Sequence, residues 1–274
     1  MIDIHTHLHP PRLFAAIRRW FATNSSWDIA AQPQEPAEVA AVLRSAGVER
    51  FVFCSYAHRP GMARELNTWL VQTAQTLGGY GVPLATIHPD DPTYLDDLRT
   101  ALDEGCAGLK LHEDVQKIAC DDERLDPIYD ELSARDGFLL VHVGPIPWEY
   151  RKREGCARVE RVLERHPNLS VIVAHFGVPD TLEYFALMSK HKGLYLDTTM
   201  VFAPSSPMHA NVTALDVIER HADRVLYGTD FPNIPHDYAA ESRGLESQGL
   251  SASTLRAVLH DNAERLLNEG RSAM

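Results

Sequence analysis

Short apolar runs alternate with longer amphipathic stretches from one end of the chain to the other. The runs are Ile2–His7, Arg50–Ser55, Val82–His88, Gly108–His112, Phe138–His142, Ser170–His175, Leu194–Thr198 and Val225–Asp230. Several are apolar almost throughout, which suits parallel strands covered on both faces. The stretches between them carry helical period. Leu66, Trp69, Leu70 and Thr73 share one face and stop at Gly78-Gly79. Asp91-Pro92 opens the next helix, with Leu95, Leu98 and Leu102 on one side and Gly105 after it. Asp126-Pro127 opens another, with Ile128 and Leu132 inside. Val159, Val162 and Leu163 mark a fourth, ended by His166-Pro167. Leu182 to Met188, Ala214 to Ile218 and Leu255 to Leu267 continue the pattern, and loops are expected at Gly144–Trp148 and Pro204–Pro207.

Eight strands with helices between them predict a closed (β/α)8 barrel. From the first strand end at 7 to the last at 230, seven repeats average about 32 residues each, close to the roughly 30 of a βαβ unit. No linker or low-complexity stretch divides the sequence, so residues 1–274 are read as a single domain. A doubly wound open sheet is the alternative. It would usually place a Gly-rich phosphate loop after its first strand, where this chain has His7-Leu8-His9-Pro10-Pro11.

Composition narrows the class. A chain of 274 residues with 45% hydrophobic and 23% charged positions can bury a sizeable core without staples. No run of about 18 apolar residues predicts a membrane span. The net charge of −12 argues against nucleic acid or an anionic membrane as the main partner. Cys54, Cys106, Cys120 and Cys156 are scattered, with no C-x-x-C pair, and read as small apolar core residues plus a spare surface thiol. That cysteine usage points to the cytoplasm, and no basic-then-apolar leader pattern is visible.

Histidine changes the picture. Of 14 histidines, His5, His7, His88, His112, His142 and His175 fall at or next to strand C-terminal ends, where a barrel keeps its active site. The seventh and eighth strands finish near Asp197 and at Asp230. His5 and His7 are two apart, so strand alternation puts both rings on one side, taken as the interior. Two imidazoles that close cannot both be protonated cheaply, and a divalent cation relieves the conflict by taking a lone pair from each. Zinc suits imidazole plus carboxylate. A third ligand would come from His142 or His175, and the closing carboxylate from Asp230.

The segments Ile2-Asp3-Ile4-His5-Thr6-His7, Gly108-Leu109-Lys110-Leu111-His112, Val141-His142-Val143-Gly144, Ala174-His175-Phe176-Gly177 and Leu226-Tyr227-Gly228-Thr229-Asp230-Phe231-Pro232 together resemble the amidohydrolase superfamily. The similarity is to its amidohydrolase 2 branch, related to aminocarboxymuconate semialdehyde decarboxylase. Asn262-Ala263-Glu264-Arg265-Leu266-Leu267 resembles that group's closing helix. The resemblance spans essentially the whole chain and implies a metal-dependent barrel. Carried over by position, it implies His5, His7, His142 and Asp230 as ligands of one zinc ion and His175 as the general acid/base. Two metals, or Mn2+, are the alternatives. In binuclear relatives the sixth-strand histidine binds the second metal, and a carbamylated lysine or a glutamate bridges the pair. Lys110 is the candidate for that role; an uncarbamylated lysine, either fixing a substrate carboxylate or in an interior ion pair with a neighbouring aspartate, is preferred. Members of this branch that decarboxylate can have Glu-x-His in place of the first His-x-His.

Other positions are weighed beside these. Asp3 is expected on the face of His5, deeper in the barrel, orienting a ligand. His112 is a candidate for substrate contact or, with Lys110 and His175, for a second metal. His88, His58 and Arg59 are candidates for substrate binding, Arg59 as a clamp on an acidic group, against structural or solvated loop roles. His9, His166, His191, His209, His221, His236 and His260 are expected to be surface or capping residues. Trp20, Trp27 and Trp148 are candidate pocket walls or core residues. Gly144 and Gly177 fit tight turns beside the site.

The expected activity is hydrolysis of a lactone, ester or amide bond in a small molecule by a metal-activated water, with Asp230 and His175 moving protons. Metal-dependent decarboxylation of a small carboxylic acid is the alternative, and a non-catalytic metal- or ligand-binding barrel the minor one. A homodimer is a candidate assembly.

Overall fold

The computed structural model describes residues 1–143, 154–209 and 215–269. The expected loop Gly144–Trp148, with Gly144 as a turn residue and Trp148 as a wall, and Ala214 lie outside the described residues.

Eight parallel strands form in the expected order: β1 (Ile2–His7), β2 (Arg50–Cys54), β3 (Gly81–Pro83), β4 (Gly108–His112), β5 (Phe138–His142), β6 (Ser170–Val173), β7 (Leu194–Asp197) and β8 (Val225–Leu226). Each pairs with the next from β1 to β3 and from β4 to β8. The parallel bridge between Ala85 and Leu109 joins β3 to β4. Between β8 and β1, Ile4 N donates to Tyr227 O at 2.8 Å, Asp230 N to His5 O at 2.8 Å and His7 N to Phe231 O at 2.7 Å. These bonds complete a (β/α)8 barrel, which leaves no sheet edge open.

Alternation along the strands separates two environments. Val52, Leu140, Ile172 and Leu226, from four different strands, meet in one buried cluster and fill the interior, with Leu266 and Leu267 of the C-terminal helix packed on it. Leu109, Leu111, Val141 and Val173 pack outward on Leu98, Ile128 and Val162 of the surrounding helices. On β4 this leaves Gly108, Lys110 and His112 facing in.

Several strands stop short of their predicted ends, for reasons local to the backbone. β6 gives way to His175 and Phe176 at φ 55 and 56, the turn after β7 holds Met200 at φ 62, and the segment after β8 turns at Asp230 with φ 71. Left-handed residues cannot continue a ladder. The helix expected from Leu255 to Leu267 is three pieces, Ala252–Arg256, a π-turn at Ala257–Asp261 and Asn262–Glu269. Val258 O is diverted there to accept from Tyr227 N at 3.0 Å. Helices at Pro11–Asn24, Pro36–Ser45 and Ala240–Glu246 were not among the predicted elements. In Pro11–Asn24 only Phe14 is buried, so little apolar period marks it.

Candidate metal centre

The register of β1 overturns one expectation. Asp3 pairs with Phe51, but Thr6 pairs with Phe53, so three steps along β1 match two along β2. The extra residue is a bulge, and it reverses the alternation. Asp3 therefore lies on the side of Phe51, opposite to His5 and His7. Its Oδ2 accepts from Thr229 Oγ1 at 2.7 Å and Tyr238 Oη at 3.0 Å, while Oδ1 accepts from the His5 backbone N–H at 3.1 Å. Asp3 satisfies the amide at the bulge and does not reach the imidazole. Burial raises its pKa to about 7 against these hydrogen bonds.

The bulge aims both rings at one volume. Asp230 Oδ1 lies 2.8 Å from His7 Nε2 and 3.2 Å from His5 Nε2. Lys110 Nζ donates to His5 Nε2 at 2.9 Å. On its other nitrogen, His5 Nδ1–H donates to Asp197 Oδ2 at 2.8 Å. His7 Nδ1 faces the Cys54 sulfur at 3.3 Å, whose S–H points to Thr6 O at 3.4 Å. The Tyr56 hydroxyl is 3.0 Å from His7 Nε2. A close-packing requirement at Gly228 makes the cluster fit, because a Cβ there would fall 2.5 Å from Thr199 Oγ1 and 3.0 Å from His5 Cβ.

His142 and His175 form the adjoining part. His175 Nδ1–H donates to Thr199 O at 3.2 Å, so its Nε2 accepts from His142 Nδ1 at 3.0 Å. That network leaves His142 Nε2 a bare lone pair, and it has no partner among the described residues; neither has His112 Nδ1. The His112 and His142 rings stack at 4.0 Å. The His175 ring lies 5.7 Å from that of His5. Thus His5, His7, Asp230 and Lys110 are in direct contact, and His142 touches His175 rather than His5.

Electrostatics follow from burial and partners. Burial, then the Lys110 charge, lowers the His5 pKa to about 4. Burial likewise holds Lys110, His112, His142 and His175 below their ordinary values. His7 is the exception: burial opposes its charge, but Cys54 and Asp230 raise it to about 10. Asp230 is held well below the usual carboxylate range, because His7, His5 and His175 outweigh the burial that would raise it. In the metal-free site the His5 Nε2 lone pair and the Asp230 carboxylate face the volume between His5, His7 and Asp230, while the Lys110 ammonium and the extra proton on His7, which a cation would displace, supply the positive charge. Neutral imidazoles, a carboxylate and the orphaned His142 Nε2 are the donor set a divalent cation takes, and the residues fit such an ion. A second grouping of possible donors, within 4.8 Å of one another, brings in Cys54 with His5 and His7. Cys54 meets His7 at Nδ1, the nitrogen turned away from Asp230, so we assign it to holding the ring.

The remaining candidates are dispersed. His58 and Arg59 are exposed on the loop after β2. His88 is buried, and its Nδ1 accepts from its own loop at Asp90 N, 3.3 Å away. Contrary to expectation, His9 and His236 are buried; His166 is buried too, but caps the C-terminus of the helix Gly155–Arg165 as expected. His9 bonds Ser55 Oγ at 2.7 Å and stacks behind His7 at 5.7 Å. His166 bonds Asp130 and Asp126. Trp27 packs on Phe21 in the core, while Trp20 is exposed. Gly177 has φ +66, and a Cβ would meet Tyr184 at 2.2 Å. Sequence reasoning gave no role to Tyr56 or the Cys54 thiol and noted Asp197 only as a strand end. Their place at the ends of β2 and β7 was the available signal.

A barrel with imidazoles, a lysine and carboxylates gathered at the C-terminal ends of its strands defines an enzyme of the metal-dependent hydrolase and decarboxylase type. The chain belongs to the amidohydrolase family, whose model matches residues 2–268. No curated protein matches it. Among solved structures it is similar to a TIM-barrel protein from Bordetella bronchiseptica, with 21% identity, TM-score 0.77, 99% of this chain and 100% of that one covered. It is also similar to 5-carboxyvanillate decarboxylase from Novosphingobium aromaticivorans complexed with manganese and 4-hydroxy-3-methoxy-5-nitrobenzoic acid, at 17% identity, TM-score 0.70, covering 97% and 95%. A 2,6-dihydroxybenzoate decarboxylase complexed with 2,6-dihydroxybenzoate matches at 17% identity, TM-score 0.72, covering 98% of each chain. Among the described residues, no helix is long and apolar enough to cross a membrane.

Proposed function

We propose that this enzyme hydrolyses a lactone, ester or amide bond in a small molecule, with His5, His7, His142 and Asp230 holding one divalent cation, zinc in the first instance. The observation that carries the reading is the approach of His5 Nε2 and His7 Nε2 to one atom, Asp230 Oδ1, at 3.2 and 2.8 Å. When bound, such a cation supplies Lewis acidity and a water of pKa near about 7. Asp230 Oδ, on a side chain 14% exposed, accepts the proton of the attacking water. Asp230 returns that proton to the leaving group, and His175 Nε2, an acceptor in the resting site, can relay it. Lys110, fully buried and beside His5, offsets negative charge as it develops on the substrate oxygen. Carbamylation of Lys110 is not needed for that role. His112 Nδ1 is free to contact substrate, and Arg59 and His58, exposed on the loop after β2, would bind a substrate acid group.

Non-oxidative decarboxylation is the second reading, supported by Lys110, whose buried ammonium suits a carboxylate substrate, and by decarboxylases among the similar structures. Here His175 or Asp230 takes a proton from water or a substrate hydroxyl and passes it to the carbon as its bond to the departing carbon dioxide breaks. Incubating the metal-loaded protein with a panel of lactones, esters, amides and hydroxybenzoates separates the two. New carboxylate without bicarbonate supports hydrolysis, and bicarbonate release supports decarboxylation. Metal uptake with no turnover across the panel would favour a binding role.

A further inference from the structure

We propose that Asp197 is the positioning residue that decides which nitrogen of His5 carries the proton, and thereby whether the site can take a cation; this rests on the metal reading above. Asp197 ends β7 and is fully buried. Its two oxygens do different work. Oδ2 accepts from His5 Nδ1 at 2.8 Å, and Oδ1 accepts from the backbone amides of His175 at 2.9 Å and Thr199 at 3.1 Å. One carboxylate therefore orients the imidazole from β1 and the left-handed turn that presents His175.

A carboxylate can only accept in these contacts. Facing it, His5 must place its proton on Nδ1, which leaves the Nε2 lone pair aimed at Asp230, His7 and Lys110. The other neighbour of Nδ1, Thr199 Oγ1 at 3.2 Å, can donate or accept and imposes neither tautomer. Asp197→Asn keeps the shape and reverses the choice. Its one oxygen must serve the two backbone amides, because turning the NH2 toward them would oppose donor to donor. The NH2 then faces His5 Nδ1 and donates to it, moving the ring proton to Nε2. That proton occupies the lone pair a cation needs and points it at the Lys110 ammonium.

The test is the imidazole nitrogen spectrum of metal-free protein, with zinc and manganese affinity by chelator competition. Wild-type His5 is expected to carry its proton on Nδ1, and Thr199→Val is expected to retain it. Folded Asp197→Asn is expected to move it to Nε2 and to bind either metal about 10- to 100-fold more weakly, as loss of an orienting partner does. A wild-type proton on Nε2, a tautomer change in Thr199→Val, or wild-type metal affinity in folded Asp197→Asn would each overturn the proposal. The first two need no folded Asp197 variant. Should wild-type protein bind neither metal, the functional reading fails, while the tautomer in metal-free protein still decides the role of Asp197.

Discussion

Asp230→Asn is the substitution that most directly separates chemistry from architecture. Asp230 sits at φ 71, a left-handed conformation that Asn tolerates as readily as Asp. The backbone therefore carries no new strain, and the Asp230 N–H to His5 O bond of 2.8 Å is untouched. What changes is the side chain 2.8 Å from His7 and 3.2 Å from His5. In metal-free protein, His7 can release its proton once the carboxylate is gone, so the loss is that of a charged hydrogen bond, about 1–3 kcal/mol. The catalytic loss is larger. An amide neither accepts a proton near neutral pH nor ligates as an anion, and general-base roles contribute roughly 100- to 10,000-fold in rate. The expected protein is folded, modestly destabilised and at least about 100-fold slower. Thermal unfolding, metal content and steady-state kinetics on the substrate found by the panel measure the three. Near-wild-type turnover in folded, metal-loaded variant would remove Asp230 from the mechanism.

Stability of the metal-free protein should depend on pH through the His7–Asp230 pair. The His7 pKa is raised from 6.5 to about 10, so its contribution is complete below about pH 6.5 and is lost as pH rises toward 10. Asp230 is depressed, so its contribution is present above the unfolded carboxylate pKa and is lost as pH falls below it; urea titrations of wild type and Asp230→Asn should converge at both extremes. Gly228→Ala is expected to cost about 1–3 kcal/mol by overpacking and to weaken metal binding, because the new Cβ displaces Thr199 and His5; unchanged melting temperature and metal content would contradict this. Lys110→Met removes the charge that helps lower His5 to about 4, so NMR titration of the metal-free variant should show His5 protonating at higher pH. The double substitution His5→Ala with His7→Ala should leave a folded protein without bound metal, and full occupancy would place the ligands elsewhere.

The barrel was legible because its determinants are local and repeated. Apolar runs recur at a spacing that only strand–helix units satisfy, and β1, β4 and β5 begin and end where their residues predict. The rim histidines were legible for the same reason, since a strand end is also a place in the barrel. Sequence did not reveal which side chains touch across the rim. Strict alternation put Asp3 with His5, yet the bulge sends it to Tyr238 and Thr229, because a register shift depends on the partner strand's hydrogen bonds. Asp197 is 192 residues from His5, and Cys54 is 47 from His7. Nothing in the residues between them encodes those bonds. Barrel closure brings the strand ends together, and the protons then settle according to which neighbour can only accept. Residue type and period determined the strands and supplied the imidazoles; the tertiary structure decided their tautomers, their charges and the volume on which they converge.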